Sequence, residues 1–162
     1  MSSSSSPIGE MLSELHKIAP AGYALGVHMT HMAPKFVFQT YPKAWLDHYS
    51  ANGLIMVDPM VAWGFENTGH ERWSALDDAS GVLKAAGEFG MKFGAVVVAE
   101  SEASRSIGGF AHPDREFTDE ELDALLQGVT AIHASTEDTA ELSQETIDHL
   151  RKMAVMVTHP GS

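Results

Sequence analysis

The chain reads as an α+β domain in which a central antiparallel sheet is flanked by helices. Apolar residues recur at helical spacing near both ends, over 8–18 and 120–134. Between them lie two pairs of short apolar runs, each pair broken by a brief turn, as in antiparallel hairpins. The resulting order is helix, two strands, helices, two strands, helix, which belongs to a mixed α+β domain.

Ile8, Met11, Leu12, Leu15 and Ile18 form one face of the first helix, and Pro20 and Gly22 stop it. Residues 23–32 alternate loosely and read as a strand. Ala33-Pro34 turn the chain into a second strand over 35–39. Pro42 opens a helix in its first turn, and Asn52-Gly53 close it. Pro59 starts another helix, ended near Gly69. Residues 71–74 read as a short extended piece and 75–88 as a helix with Leu76, Ala79, Leu83 and Ala86 on one side. Residues 91–99 form the best buried strand, and 107–112 the returning one. Thr118 with Glu121 is a capping box for a last helix over 120–134, which buries Leu122, Leu125, Leu126, Val129 and Ile132.

The bulk numbers describe one globular domain of 162 residues, 44% hydrophobic and 20% charged. Ten basic residues against 22 acidic give a net charge of −12. The basic residues are scattered, so nucleic acid and anionic membranes are both poor partners. The chain contains no cysteine, which excludes disulfides, thiol nucleophiles and Cys-based zinc sites and fits a cytoplasmic protein. The N-terminus is not a secretory signal, and no apolar run approaches the roughly 20 residues of a membrane-spanning helix. Residues 1–7 read as a disordered tail, 8–137 as the folded domain and 138–162 as a further helical segment capped by Ser143.

The stretch from Thr40 to Pro59 concentrates the chemistry. Trp45 and Tyr49, four apart, share one face of their helix, with Tyr41 at its mouth. Pro59 pushes Asp58 out of the α region into an extended or turn conformation. Three amphipathic side chains and one carboxylate can therefore converge on one pocket. Taken singly, Trp45, Tyr49 and Trp73 read as aromatic core with polar ends satisfied by backbone, and Asp58 as a turn residue before proline. Their joint order and spacing favour a site.

That order is Tyr41-Pro42, Trp45, Tyr49, Asp58-Pro59, Trp73 and Gly94. It resembles the autoinducer-binding domain of LuxR-type quorum-sensing regulators, and the resemblance covers about residues 7–137. It implies an α/β/α sandwich, no catalysis, no metal or other cofactor, and an N-acyl homoserine lactone as ligand. It further implies that the Trp45 indole donates to the lactone carbonyl, the Asp58 carboxylate accepts the amide N–H, and the Tyr41 hydroxyl donates to the acyl carbonyl. Tyr49 and Trp73 would wall the pocket. Phe36, Phe38, Leu54, Val61 and Val96 are candidates to line the acyl chain.

Leu46, Met60 and Ala111 depart from polar residues found in some members, which implies a more apolar pocket. Ala111 stands where a Ser or Thr often meets the acyl carbonyl. The family continues into a helix-turn-helix module. Here Leu142-Ser143 begins a segment resembling its first helix, or simply a well-capped helix. A helix-turn-helix reads DNA with its second helix, so no sequence-specific DNA binding is expected. The expected partners are a second copy or a full-length LuxR-type regulator. Two alternatives stand beside this reading: a ligand-independent dimerisation or antagonist module whose aromatics are only core, and a lactone hydrolase. The sequence has no nucleophile elbow, and its nine histidines, His28 and His31 among them, have no useful metal-ligand spacing.

Overall fold

The structure, a computed structural model, describes residues 7–29, 34–102 and 104–137. Among these, five antiparallel strands form one sheet in the order β2-β1-β5-β4-β3. They are β1 (Gly22–Met29), β2 (Phe36–Gln39), β3 (Gly69–Arg72), β4 (Phe93–Glu100) and β5 (Arg105–His112). The helices are α1 (Pro7–Ile18), α2 (Lys43–Ala51), α3 (Pro59–Glu66), α4 (Val82–Glu88) and α5 (Asp119–Ser135). The expected α+β fold with a helix-flanked antiparallel sheet is the one observed.

Strand alternation divides the molecule into two apolar layers. Tyr23, Leu25, Val27, Phe36, Phe38, Ala95, Val97 and Phe110 point to one face of the sheet. There they meet Leu12 and Leu15 of α1 and Leu122, Leu125, Val129 and Ile132 of α5. The capping box forms as the sequence implies: Thr118 accepts from the Glu121 N–H, and the Glu121 carboxylate accepts from the Thr118 N–H. The other face carries Tyr41, Trp45, Trp73, Val82, Ala86, Met91 and Ala111, with Met60, Tyr49 and Leu54 packed against them. Helices α2, α3 and α4 supply most of that second layer, and the site lies in it.

Several boundaries move for identifiable reasons. Pro42 is the N-cap of α2 rather than a helical residue, with ψ at 139°. The expected helix over 75–88 shrinks to Val82–Glu88. Gly81, at φ +73°, interrupts it, and the Asp78 carboxylate accepts from the N–H groups of Leu83 and Lys84. Trp73 leaves the short strand and opens a 3₁₀ turn, Trp73–Ala75. Strand β5 starts at Arg105, because the ladder extends to the Glu100–Arg105 pair. Strand β1 is described to Met29, so the H-x-x-H reading is only half visible: His31 falls outside the described residues, as does the helical segment after Ser143.

His28 has a role that its spacing does not suggest. It adopts φ 58°, a left-handed conformation that costs most side chains roughly 1–2 kcal/mol. It sits where the pairing of β1 with β5 shifts register between Gly26 and Met29, the signature of a bulge. A buried polar cluster holds it. His28 Nε2 lies 2.8 Å from Thr136 Oγ1 and 3.0 Å from the His133 carbonyl, while Nδ1 lies 2.7 Å from Ser104 Oγ. Since the carbonyl can only accept, Nε2 carries the proton and Nδ1 accepts from Ser104. The His28 N–H donates to Ser106 Oγ, which in turn lies 2.7 Å from His133 Nδ1. The two imidazoles stand 4.2 Å apart.

Burial holds both histidines below their ordinary pKa of 6.5, and for His28 the neighbouring His133 adds to the effect. A depressed histidine contributes stability that is present above 6.5 and lost as pH falls below it. The urea midpoint is therefore expected to fall as pH drops from about 7 to about 5, and His28→Asn should flatten that slope; equal slopes would contradict the assignment. At the other end of α5, Thr118→Ala removes half of the capping box and should cost about 1 kcal/mol in denaturant unfolding. A change near zero would mean that the cap is not formed in solution.

Candidate functional site

A cavity of about 280 Å³ opens between the sheet and helices α2 to α4. Its polar end is built from Tyr41, Trp45, Tyr49, Asp58 and Trp73. Tyr41 follows β2 directly and is buried. Trp45 and Tyr49 rise from one face of α2 with their rings 5.8 Å apart, and Phe89 backs Trp45 at 5.4 Å. The spacing of four residues does here what helical geometry requires.

Asp58 joins the two halves of this wall. It is extended, at φ −72° and ψ 118°, and caps α3 with Pro59 in the first helical position. One carboxylate oxygen accepts from the Met60 N–H at 2.9 Å, and the other accepts from the Tyr49 hydroxyl at 2.7 Å. The residue is only 5% exposed. Burial pushes its carboxyl above the ordinary range, and the hydrogen bonds from Tyr49 and Met60 oppose that shift. Burial likewise drives the Tyr41 and Tyr49 hydroxyls up, with the Asp58 charge adding to it, so both remain protonated donors.

Two donors in this wall have no acceptor. Among the described residues, the buried Tyr41 hydroxyl and the buried Trp73 indole N–H lack any hydrogen-bond partner. A buried polar group left unpaired costs roughly 1–3 kcal/mol, so two beside one cavity are a strong chemical mark. Both are held there by glycines. A Cβ on Gly94 would overlap the Trp73 ring system, and one on Gly109 would come within 2.9 Å of Tyr41 Oη and 2.8 Å of Met60 Sδ. The match at Gly94 thus has a physical meaning: the indole lies flat on a strand with no side chain beneath it.

Apart from Gln39 the remaining lining is apolar, including Met29, Val37, Met60, Val61, Phe65 and Ile107. Val61 is therefore at the cavity, as are Tyr41, Trp45, Tyr49, Asp58 and Trp73. Phe38 is not. It pairs with Leu25 across β1 and β2 and points to the α1/α5 face, as does Phe36. The period of two that governs strands sends Val37 and Gln39 to the cavity instead. Ala111 belongs to the same apolar cluster but does not line the cavity. Gly109, one pleat earlier on the same face, does. Sequence reasoning missed Gly26, Met29 and Gly109. Alternation along β5 points to Gly109, but no local pattern announces the bulge that brings Met29 in.

Among the described residues no group of three His, Cys, Asp or Glu side chains is placed to hold a metal ion. His70 meets Asp123 of α5 on the surface at 3.3 Å.

Comparison with known proteins bears on this arrangement. A family model described as the autoinducer binding domain matches residues 10–135. The transcriptional activator SolR of Ralstonia nicotianae is 35% identical over 60 residues, which is 36% of this chain and 25% of SolR. Thus the match spans about a quarter of that relative's length. A structure of SdiA in complex with octanoyl-rac-glycerol superposes with a TM-score of 0.58 at 19% identity, covering 97% of this chain and 85% of that one. The N-acylhomoserine lactone dependent LuxR family transcription factor CepR2 from Burkholderia cenocepacia superposes with a TM-score of 0.57 at 16% identity, covering 82% and 80%. At these identities the two structures establish the fold. With the family model spanning most of the sequence, the chain belongs to the autoinducer-binding domain family.

Proposed function

We propose that this domain binds an N-acyl homoserine lactone in the cavity beside Asp58. The observation that carries the reading is the pair of buried donors, Tyr41 Oη and Trp73 Nε1, unpartnered among the described residues and next to a buried carboxylate in a largely apolar space. An acyl homoserine lactone offers two carbonyl acceptors, one amide donor and an alkyl chain. The carbonyls suit the donors and the amide N–H suits Asp58, whose two oxygens retain accepting capacity beyond their bonds to Tyr49 and Met60. The chain gains about 0.8 kcal/mol per methylene buried against the apolar wall. Trp45 brings a second indole, and with it a third donor, to the same rim.

The neighbour CepR2 is described as lactone dependent, which supports the ligand class. The acylglycerol held by SdiA has ester and hydroxyl groups but no amide, so it belongs in any ligand panel as a rival. A net charge of −12 disfavours DNA as a partner of this domain. We infer that signal binding is passed on through protein contact, with a second copy or a LuxR-type regulator. Ligand occupancy would strengthen that output by stabilising the folded domain, by an amount that grows with the logarithm of ligand concentration over Kd.

The test is organic extraction and mass spectrometry of protein produced with and without a lactone panel and octanoyl glycerol. One lactone retained stoichiometrically is the expected result. Tyr41→Phe should lose roughly tenfold in affinity, equivalent to one hydrogen bond of about 1–1.5 kcal/mol, and Asp58→Asn more, because its bond is charge-assisted. Retention of none of them, with protein equally soluble and stable in every culture, would overturn the reading.

Asp58 also separates function from stability. Its folded pKa lies above the ordinary 3.8, so its contribution to stability is lost as pH rises through that interval. In the absence of ligand, Asp58→Asn should therefore melt higher than the parent at neutral pH, and the gap should close as pH falls toward about 4. A gap independent of pH would show that the carboxylate is not strained by burial.

A further inference from the structure

We propose that Met29 is the end wall of the cavity and limits the length of acyl chain that the protein accepts. The proposal rests on the lactone reading above and deepens it.

The geometry begins with strand parity. On β1, Tyr23, Leu25 and Val27 face the α1/α5 layer, while Ala24 and Gly26 face the opposite layer. In an unbroken strand residue 29 would follow 25 and 27 away from the cavity. The register shift between Gly26 and Met29, with His28 at φ 58°, reverses that parity. Met29 therefore returns to the cavity side and lines it together with Gly26. Its thioether folds back over Gly26: a Cβ on that glycine would lie 2.7 Å from Met29 Sδ and 3.5 Å from Pro34 Cβ. The His28 cluster, buried on the other side of the sheet, holds this backbone turn.

Position along the strands makes this the far end. Tyr41 Oη rests against Gly109, and Gly109 pairs with Ala24. Gly26 pairs with Ile107, two residues further along β5, which is about 7 Å at the rise of a strand. A ligand gripped at Tyr41 and Asp58 and extending along β1 passes Val37 and Ile107 and then meets the Met29 side chain. The cavity volume of about 280 Å³ lies just below the usual range for small-molecule sites, roughly 300–1,000 Å³. An end stop is thus felt early. Methionine is unbranched and flexible, so its truncation lengthens the cavity without removing a structural core residue; Met29 is only half-buried.

The test is calorimetric titration of the full chain, as the parent, Met29→Ala and Met29→Phe, with homoserine lactones from butanoyl to dodecanoyl. The parent should show an optimum chain length beyond which affinity falls. Met29→Ala should move that optimum to longer chains, with roughly fourfold tighter binding for each methylene newly buried. Met29→Phe should move it to shorter ones. The same optimum in all three proteins, with lactones still bound tightly, would overturn the role of Met29 alone. If no lactone of any length bound to the parent or to either variant, the lactone reading itself would fall, and this proposal with it.

Discussion

The second layer of this domain depends on one buried carboxylate. Asp58 ends the turn after α2, caps α3, accepts the Tyr49 hydroxyl from α2 and sits beside the unpartnered Tyr41 hydroxyl. Its bond to the Tyr49 hydroxyl ties α2 to the start of α3 and fixes the direction of that phenol. Taking an ionised carboxylate out of water is costly. Here the cost is offset only in part by two internal hydrogen bonds, and the pKa remains raised. A group kept at such expense, next to two donors that lack acceptors among the described residues, is the arrangement on which the proposed lactone site rests.

The two faces of the sheet serve different ends. The α1/α5 face is filled by large side chains, with Tyr23, Phe38, Phe110 and Phe117 almost wholly buried. That layer carries the bulk of the apolar burial and gives a rigid platform. The opposite face is built over small strand residues, Ala24, Gly26, Gly94 and Gly109, which leave room for the Trp73 indole, the Tyr41 phenol and the cavity. One strand thus presents bulk on one side and space on the other. Site and stability are therefore largely separable, apart from the Asp58 region and the His28 bulge, where one layer shapes the other.

Much of this was legible in the sequence. The helical periodicity of α1 and α5, the Thr118 capping box and the apolar run of β4 rest on local rules, and these hold. The convergence of Tyr41, Trp45, Tyr49 and Asp58 was readable because proline and the four-residue helical spacing are local constraints as well. The parity of a strand face was harder. Phe38 reads as a lining residue from its size and neighbourhood, but only the register against Leu25 decides which way it points. Ala111 lies on the correct face but one pleat beyond Gly109. The bulge at His28 depends on Ser104, Ser106, His133 and Thr136, which are distant in sequence, so no local pattern contains it. The helix expected over 75–88 failed through Asp78 and Gly81, whose capping and turn geometry competed with apolar periodicity.

The three tryptophans provide an internally controlled measurement. Trp45 and Trp73 line the cavity, whereas Trp63, on α3, does not. Indole N–H resonances of tryptophan-labelled protein, followed by NMR during titration with an acyl homoserine lactone, report on each directly. Completion of the buried donors by ligand predicts a saturable downfield shift of the Trp73 indole, accompanied by movement at Trp45, while Trp63 stays in place. Saturable binding with the Trp73 resonance unmoved would contradict the account.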